Sequence, residues 1–138
     1  MPRLTRFSVS LDEELVRTFD RRIAEQEIPT RSKAIGDLIR QSLIAREWTE
    51  GREVAGAVIL VYDHHLSDVV RRINAVQHDF HDRILATQHF HLDHDNCFEI
   101  VAVRGSPADI ERLTRRLRAL KGIKSVSLTA ATTGQHLP

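Results

Sequence analysis

The chain's histidines are concentrated in one part of the sequence, and its only cysteine lies beside them. Seven of the eight histidines fall between His64 and His94, and Cys97 follows three residues later. Imidazole nitrogens and a thiolate are donors that proteins use to bind Zn(II), Ni(II) and Cu(II). This stretch is therefore the candidate metal-binding segment.

The spacing of His89 and His91 predicts that both point to one face of a strand over residues 83–92, because side chains alternate along a strand. A turn-like run at 93–95 then leads into a second apolar strand that begins at Cys97. We predict a β-hairpin with a three-residue loop, in which His91 lies opposite Cys97 and His89 opposite Glu99.

This register divides the hairpin into two faces. The predicted metal-binding face carries His89, His91, Cys97 and Glu99, and we expect it to be the bare face of the sheet, where another subunit can dock. The other face is predicted to pack on helices and carries Phe90, Phe98, Ile100 and Ala102.

His78, which precedes the hairpin, is the candidate for a further ligand. It would either complete the site within one chain or reach the hairpin of a neighbouring subunit. A flat arrangement would favour Ni(II) or Cu(II) and a tetrahedral one Zn(II), so the residues alone leave the metal open.

The alternative to a metal site is a set of surface histidines beside a small buried cysteine. That interpretation, or at most a weaker surface site, is assigned to His64, His65, His81, His94 and His136.

Length and charge limit the class of protein. The 138 residues allow one ordinary domain or two small ones, and a net charge of +1 indicates no global basic field. The sequence has no apolar run of membrane-spanning length, and its first residues lack the apolar core of a secretory signal. A lone cysteine excludes an internal disulfide framework. We expect a cytoplasmic protein.

The N-terminal residues alternate in a way that predicts a short strand over residues 3–11. Two amphipathic helices follow; Asp12 or Ser10 can cap the first, and Thr30 or Ser32 the second. One strand and two helices in about 45 residues bury too little core to be stable alone. One face of the strand carries Arg6, Ser8 and Ser10, and the other carries Phe7, Val9 and Leu11.

An intertwined dimer would solve this problem by pairing two such strands over a shared core. A two-stranded ribbon fits the major groove of DNA, where Arg6 could contact guanine edges, with Ser8 and Ser10 beside it. The start of the second helix offers backbone amides, hydroxyls and charge to phosphate through Thr30, Arg31, Ser32 and Lys33. The alternative is an edge strand made polar to prevent aggregation.

Residues 46–53 are mostly polar and indicate a linker or hinge near Gly51. The remaining chain is predicted to follow the order β-α-β-β-α-β, an α+β, ferredoxin-like sheet with both helices on one face. A run of arginines on the last helix is interpreted as a solvated face.

The sequence resembles the nickel-responsive transcriptional regulators over nearly its whole length. The resemblance lies in residues 6–12 (RFSVSLD), 31–37 (RSKAIGD), the pair Gln77-His78 and, above all, residues 89–100 (HFHLDHDNCFEI). It implies a ribbon-helix-helix DNA-binding domain, placed at residues 1–48, and an ACT-type ferredoxin-like domain, placed at 54–138, with residues 49–53 as a linker. It also implies a homotetramer built as a dimer of dimers.

The resemblance further implies specific roles for the candidate residues. His89, His91 and Cys97 of one subunit and His78 of another would bind one Ni(II) per subunit in a square plane. Gln77 and Glu99 would orient the ligand imidazoles through hydrogen bonds. Arg6, Ser8 and Ser10 would contact the bases of a palindromic operator, so the protein would be a repressor and not an enzyme.

Two positions depart from the usual pattern of that family. Lys33 stands where an acidic residue is usual, and Gly36 replaces an arginine; Lys33 puts in doubt a secondary cation site that the acidic residue can help to form.

Two other functions remain as alternatives. One is a metal-storage or metal-chaperone protein with the same site, and the other is a metalloenzyme with Glu99 as base, for which the sequence offers no nucleophile or pocket.

Overall fold

The structure, a computed structural model, describes residues 3–66 and 68–138 and separates into two compact units. The first unit ends at Gln41 and the second is Ser42–Pro138, so the boundary falls within the second helix. The elements in chain order are α1 (Glu13–Glu25), α2 (Arg31–Glu50), β1 (Val54–Asp63), α3 (Val69–Asp79), β2 (Ile84–His91), β3 (Asn96–Gly105), α4 (Pro107–Arg118) and β4 (Ile123–Ala130).

The first unit has two helices whose N-terminal caps are side-chain oxygens. The Asp12 carboxylate accepts hydrogen bonds from the backbone amides of Glu14 (3.0 Å) and Leu15 (3.2 Å), so Asp12 caps α1. The Thr30 hydroxyl accepts from the amide of Lys33 at 3.1 Å at the start of α2. Each cap is one of the two residues that the sequence proposed for that position.

Many apolar side chains of the first unit are exposed in the single chain. Phe7, Val9 and Leu11 are 68%, 58% and 59% exposed, and Leu15 and Leu38 are more than half exposed. Residues 3–12 belong to no strand in this chain. The strand predicted at 3–11 requires the backbone of a second copy as its hydrogen-bonding partner, and it stays a prediction.

The second unit is a four-stranded antiparallel sheet in the order β2-β3-β1-β4, which confirms the predicted β-α-β-β-α-β arrangement. Ser106 caps α4 by accepting from the Asp109 amide at 3.2 Å, and Pro107 occupies the first turn, as predicted. The core lies between one face of the sheet and both helices. Its members include Val58, Leu60, Val101, Val103, Val69, Ile73, Ile110, Leu113 and Leu117.

The prediction of which sheet face packs on the helices was wrong. Along β3 the buried residues are Cys97, Glu99, Val101, Val103 and Gly105, whereas Phe98, Ile100 and Ala102 are only half-buried. Cys97 and Glu99 therefore lie on the helix-covered face, whereas His89 and His91, which pair with them from β2, stay exposed. Both faces of β3 are apolar, so alternation alone does not distinguish them. Val101 and Val103 decide the orientation because they belong to the core between the sheet and the helices.

The end of α2 packs within the second unit. Helix α2 ends at Glu50 and is followed by Gly51, whose φ of +75° favours glycine. The Trp48 indole N–H donates to the Ala131 carbonyl at 2.8 Å, and its ring packs on the core. Helix α2 thus includes the first two residues of the predicted linker 49–53, whose limits stay a prediction.

Glu47 is buried near this contact, and one hydrogen bond satisfies part of its carboxylate. One of its carboxylate oxygens accepts from the Thr132 hydroxyl at 2.9 Å, and the other has no partner within the described part of the chain. Because an unsatisfied buried polar group is costly, we expect Thr132→Val to reduce the free energy of unfolding by about 1–3 kcal/mol in urea denaturation. The control is Thr133→Val, whose hydroxyl only accepts a long bond from the Gln135 amide at 3.4 Å. Equal effects of the two variants would contradict this account.

Within the described residues, no helix has both the length and the apolar character needed to cross a membrane.

Candidate metal centre

The pairing of β2 with β3 brings imidazole donors to the cysteine. His91 lies opposite Cys97, and His89 lies opposite Glu99, which confirms the register predicted for the hairpin. The backbone amide of Leu92 donates to the Asn96 carbonyl at 2.9 Å, which leaves residues 93–95 as the loop. The hairpin therefore places both histidines, at i and i+2, opposite Cys97 and Glu99.

Three donors converge at the end of the hairpin. The Cys97 sulfur lies 3.5 Å from Nδ1 of His91 and 3.4 Å from Nδ1 of His64. These ligand atoms all lie within 4.8 Å of one another, a separation that allows them to bind a single ion. Two imidazoles and a thiol fit a borderline divalent metal such as Ni(II), Cu(II) or Zn(II).

His64 was assigned to the surface by sequence reasoning, and the structure places it at the thiol instead. It follows β1, and β1 pairs with β3 so that Tyr62 lies opposite Cys97. The backbone amide of His64 donates to the Asp95 carbonyl at 3.2 Å, which holds the end of β1 against the hairpin loop. Only the order of strands in the sheet reveals this proximity, because 33 residues separate His64 from Cys97.

His89 lies beside a buried carboxylate. Its Nδ1 is 3.9 Å from Glu99, and the side-chain amide of Gln77 donates to the other Glu99 oxygen at 3.3 Å. Burial raises the pKa of Glu99, and His89 and Gln77 act in the opposite direction. Burial, with the Glu99 and Cys97 charges, raises the pKa of the adjacent Tyr62 to about 12. Glu99 thus links α3 to the β2 histidine.

His78 lies on α3 and is exposed. Its ring stacks on that of His81, with centroids 5.8 Å apart. Among the described residues, His78 and His89 belong to no group of converging metal donors. Within one chain, the geometry therefore joins two of the four predicted ligands, His91 and Cys97.

Cys97 is fully buried, and this affects its ionisation. Burial is the largest cause that raises the pKa of the thiol above its usual range, and the charges of Glu99 and Asp63 raise it further. The thiol is therefore protonated near neutral pH. A metal ion that binds the sulfur must displace this proton.

The candidate DNA-contacting residues lie at the exposed surface of the first unit. Arg6, Ser8 and Ser10 belong to the segment before α1. At the start of α2, the Arg31 guanidinium donates two hydrogen bonds to the Asp20 carboxylate, at 2.8 and 2.6 Å. The Lys33 ammonium is also paired, with Asp37 at 2.7 and 2.8 Å, and Thr30 caps the helix. Ser32 is exposed at the same helix end.

Fold and site together define a class of protein: an α+β chain whose C-terminal ferredoxin-like sheet carries imidazole and thiol donors for a metal, preceded by a two-helix unit. Comparisons with known proteins agree with this class. The family described as "NikR C terminal nickel binding domain" matches residues 55–131, and the family "Ribbon-helix-helix protein, copG family" matches residues 5–46.

Similar chains cover nearly the whole sequence. A putative nickel-responsive regulator of Syntrophus aciditrophicus is 53% identical over 98% of both chains. One of Chlorobium phaeobacteroides is 48% identical over 96% of this chain and 98% of its own. The chain belongs to the nickel-responsive regulator family, which is a family of regulators and not of enzymes.

A solved structure supports the fold alone. The uncharacterized protein TM1266 from Thermotoga maritima superimposes with a TM-score of 0.53 at 15% identity, covering 57% of this chain and 98% of its own.

Proposed function

We propose that this chain is a cytoplasmic repressor that binds a palindromic DNA operator when Ni(II) occupies sites shared between subunits. The observation that carries the proposal is the β2–β3 register, which places His91 against the only thiol of a chain in the nickel-responsive regulator family. The proposed domains are residues 1–48 for DNA binding and 54–138 for nickel binding, with 49–53 as the linker.

The proposed nickel centre combines His89, His91 and Cys97 of one subunit with His78 of another, one ion per subunit. Ni(II) binds ligands such as three imidazoles and one thiolate in square-planar geometry. His78 is exposed on α3 and is thus accessible to a neighbouring subunit. Gln77 and Glu99 would orient the ligands, because Gln77 donates to Glu99 and Glu99 lies beside His89.

Binding at this centre should depend on pH because the buried Cys97 thiol must lose its proton. Its pKa is raised, so below that pKa we expect Ni(II) affinity to rise with pH, by up to about tenfold per unit for one displaced proton. Competition titrations from pH 6.5 upward would measure this slope. An affinity independent of pH would contradict it.

A substitution of Glu99 tests whether its charge controls the pKa of the Cys97 thiol. The Glu99 charge raises the pKa of Cys97, so Glu99→Gln should lower the thiol pKa in the metal-free protein, measured by thiolate absorption in the ultraviolet. Glu111→Gln removes an exposed carboxylate from α4 and should leave that pKa unchanged. The same shift in both variants would show that net charge, not proximity, controls the thiol.

DNA binding is proposed for a dimer of the first unit. A groove in that unit is lined almost entirely by apolar side chains that a second copy would cover, among them Val9, Leu11, Leu15, Val16, Phe19, Ile35 and Leu38. Two N-terminal segments paired as strands would present Arg6, Ser8 and Ser10 to the major groove. Thr30, Arg31, Ser32 and Lys33 would lie near phosphates. Arg31 and Lys33 would have to exchange their carboxylate partners for phosphate oxygens.

The mechanism we propose is a shift in population. Metal-free tetramers, each a dimer of dimers, would sample several arrangements of their DNA-binding dimers about the linker. Ligands contributed by two subunits favour one arrangement because the shared centre forms only when His78 of one meets the hairpin of the other. That arrangement would span two operator half-sites.

The deciding experiment measures binding of the full chain to a palindrome from its own promoter, with and without stoichiometric Ni(II), alongside the nickel absorption spectrum. The proposal expects metal-dependent binding and a square-planar thiolate spectrum. The same spectrum without DNA binding, on every palindrome of that promoter, would favour a storage or chaperone protein. That alternative needs the metal centre alone.

A further inference from the structure

The residues that follow β4 form a short folded tail. Residues 131–138, which we call the C-terminal strap, turn at Gly134, where φ is +78°. The Gly134 amide donates to the Thr132 hydroxyl at 3.0 Å, and the Leu137 amide donates to the Gly134 carbonyl at 3.3 Å. A positive φ favours glycine, so the local sequence supports this turn. The strap therefore has a defined conformation.

The strap contacts the end of α2 through two adjacent residues. The Ala131 carbonyl accepts from the Trp48 indole N–H at 2.8 Å, and the Thr132 hydroxyl donates to the Glu47 carboxylate at 2.9 Å. On the other side, the Ala131 amide donates to the Ala55 carbonyl of β1 at 2.9 Å. The start of the strap thus joins the end of α2 to the sheet.

The rest of the strap lies along the same part of α2. His136 lines a cavity of about 110 Å³ together with Leu43, Arg46 and Glu47 of α2. Positions 43, 46 and 47 share one face of the helix, because residues three and four apart are neighbours there. The imidazole of His136 is exposed, and none of the hydrogen bonds between strap and helix involves it. The strap therefore borders the last two turns of α2.

These contacts hold a segment that its composition assigns to a linker. Residues 46–53 are mostly polar, yet 46–50 complete α2, a helix that begins in the first unit and belongs to the second from Ser42 onward. A polar helix end without tertiary contacts frays, because packing supplies most of the stability of a helix in a protein. Loss of the strap would therefore extend the flexible connection from residues 51–53 to residues 46–53.

We propose that the C-terminal strap fastens the end of α2 to the metal-binding sheet and thereby limits the arrangements open to the DNA-binding unit. The fastening is independent of the proposed function, whereas its effect on operator binding rests on that function. A shorter flexible connection restricts the reach of the unit it carries. Fewer arrangements raise the fraction of protein that fits the operator, and the apparent dissociation constant falls as that fraction rises.

The fastening is tested by the fluorescence of Trp48, the only tryptophan of the chain. In protein that ends at Ala130, the emission should shift to the red and acrylamide should quench it more strongly, because the indole loses its contact with the strap. Thr132→Val should cause a smaller shift in the same direction, and the matched control Thr133→Val should cause none. Unchanged emission in the shortened protein would overturn the fastening.

Proteolysis gives a second measurement of the same contact. Trypsin cleaves a helix only where it opens locally, so cleavage after Arg46 should be several-fold faster in the shortened protein than in the full chain. Mass spectrometry identifies the cleaved bond. If the shortened protein does not fold, Thr132→Val is used in its place. Equal rates of cleavage after Arg46 in Thr132→Val and Thr133→Val would then contradict the fastening.

The effect on operator binding is measured with saturating Ni(II). The protein that ends at Ala130 should bind the operator several-fold more weakly, with the same Ni(II) affinity in the absence of DNA, because the strap lies outside the proposed nickel centre. Unchanged operator affinity despite a shifted Trp48 emission would overturn this effect, and so would an equal loss of Ni(II) affinity. If the unmodified protein shows no metal-dependent operator binding, the proposed function fails and this effect fails with it, while fluorescence and proteolysis still decide the fastening.

Discussion

Replacing Cys97 with alanine is expected to abolish the thiolate-to-nickel absorption and to weaken Ni(II) binding at the centre by about 100-fold or more. Substitution of residues that only support metal ligands typically costs 10–100-fold in affinity, and loss of the sole thiolate should cost at least as much. Metal-dependent operator binding should disappear with it. Competition titration and DNA-binding assays at the same nickel concentration would measure both effects.

The His136→Ala variant is the control, since it removes an imidazole of the C-terminal tail that lies outside the proposed nickel centre. It should retain both Ni(II) binding and metal-dependent operator binding. Unfolding curves of metal-free Cys97→Ala should stay cooperative, because alanine fills most of the space of a small buried thiol. If Cys97→Ala kept metal-dependent operator binding, the proposed mechanism would be wrong.

Replacing Arg6 with alanine is expected to abolish specific operator binding and to leave Ni(II) affinity unchanged. An arginine bidentate to guanine contributes about 1–3 kcal/mol of discrimination, and every subunit on the operator would lose this contact. The expected loss is therefore a hundredfold or more for the assembled protein, as an order of magnitude. Fluorescence anisotropy with labelled operator and scrambled DNA would measure it.

Arg3→Ala is the matched control because it removes the same charge from the same segment. In an extended strand, residue 3 points to the face opposite residue 6. Arg3→Ala should therefore reduce binding to operator and scrambled DNA alike, by a factor that shrinks as salt is raised. Equal loss of specificity in the two variants would refute base contact by Arg6.

The two variants together separate the regulator from a storage or chaperone protein. In a regulator, Cys97→Ala removes the metal response and Arg6→Ala removes DNA binding with the nickel spectrum intact. A storage protein would lose metal with Cys97→Ala and show no DNA-related change with Arg6→Ala. Any metal-dependent binding to the operator decides between them.

Local sequence patterns determined much of the second unit's fold and indicated the family of this chain. The polar run at 93–95 indicated the hairpin register because short loops leave few alternatives, and the i, i+2 spacing of His89 and His91 put both side chains on one face. The Ser106-Pro107 helix start and the β-α-β-β-α-β order follow from similarly local signals. The histidine-cysteine segment indicated the family, to which the chain belongs.

The tertiary structure decided what local patterns leave open. Both faces of β3 are apolar, so only packing of Val101 and Val103 with the helices placed Cys97 and Glu99 on the buried side. His64 meets Cys97 because β1 pairs with β3, a contact between residues far apart in sequence. Periodicity describes one element at a time, whereas burial and donor convergence depend on which elements become neighbours.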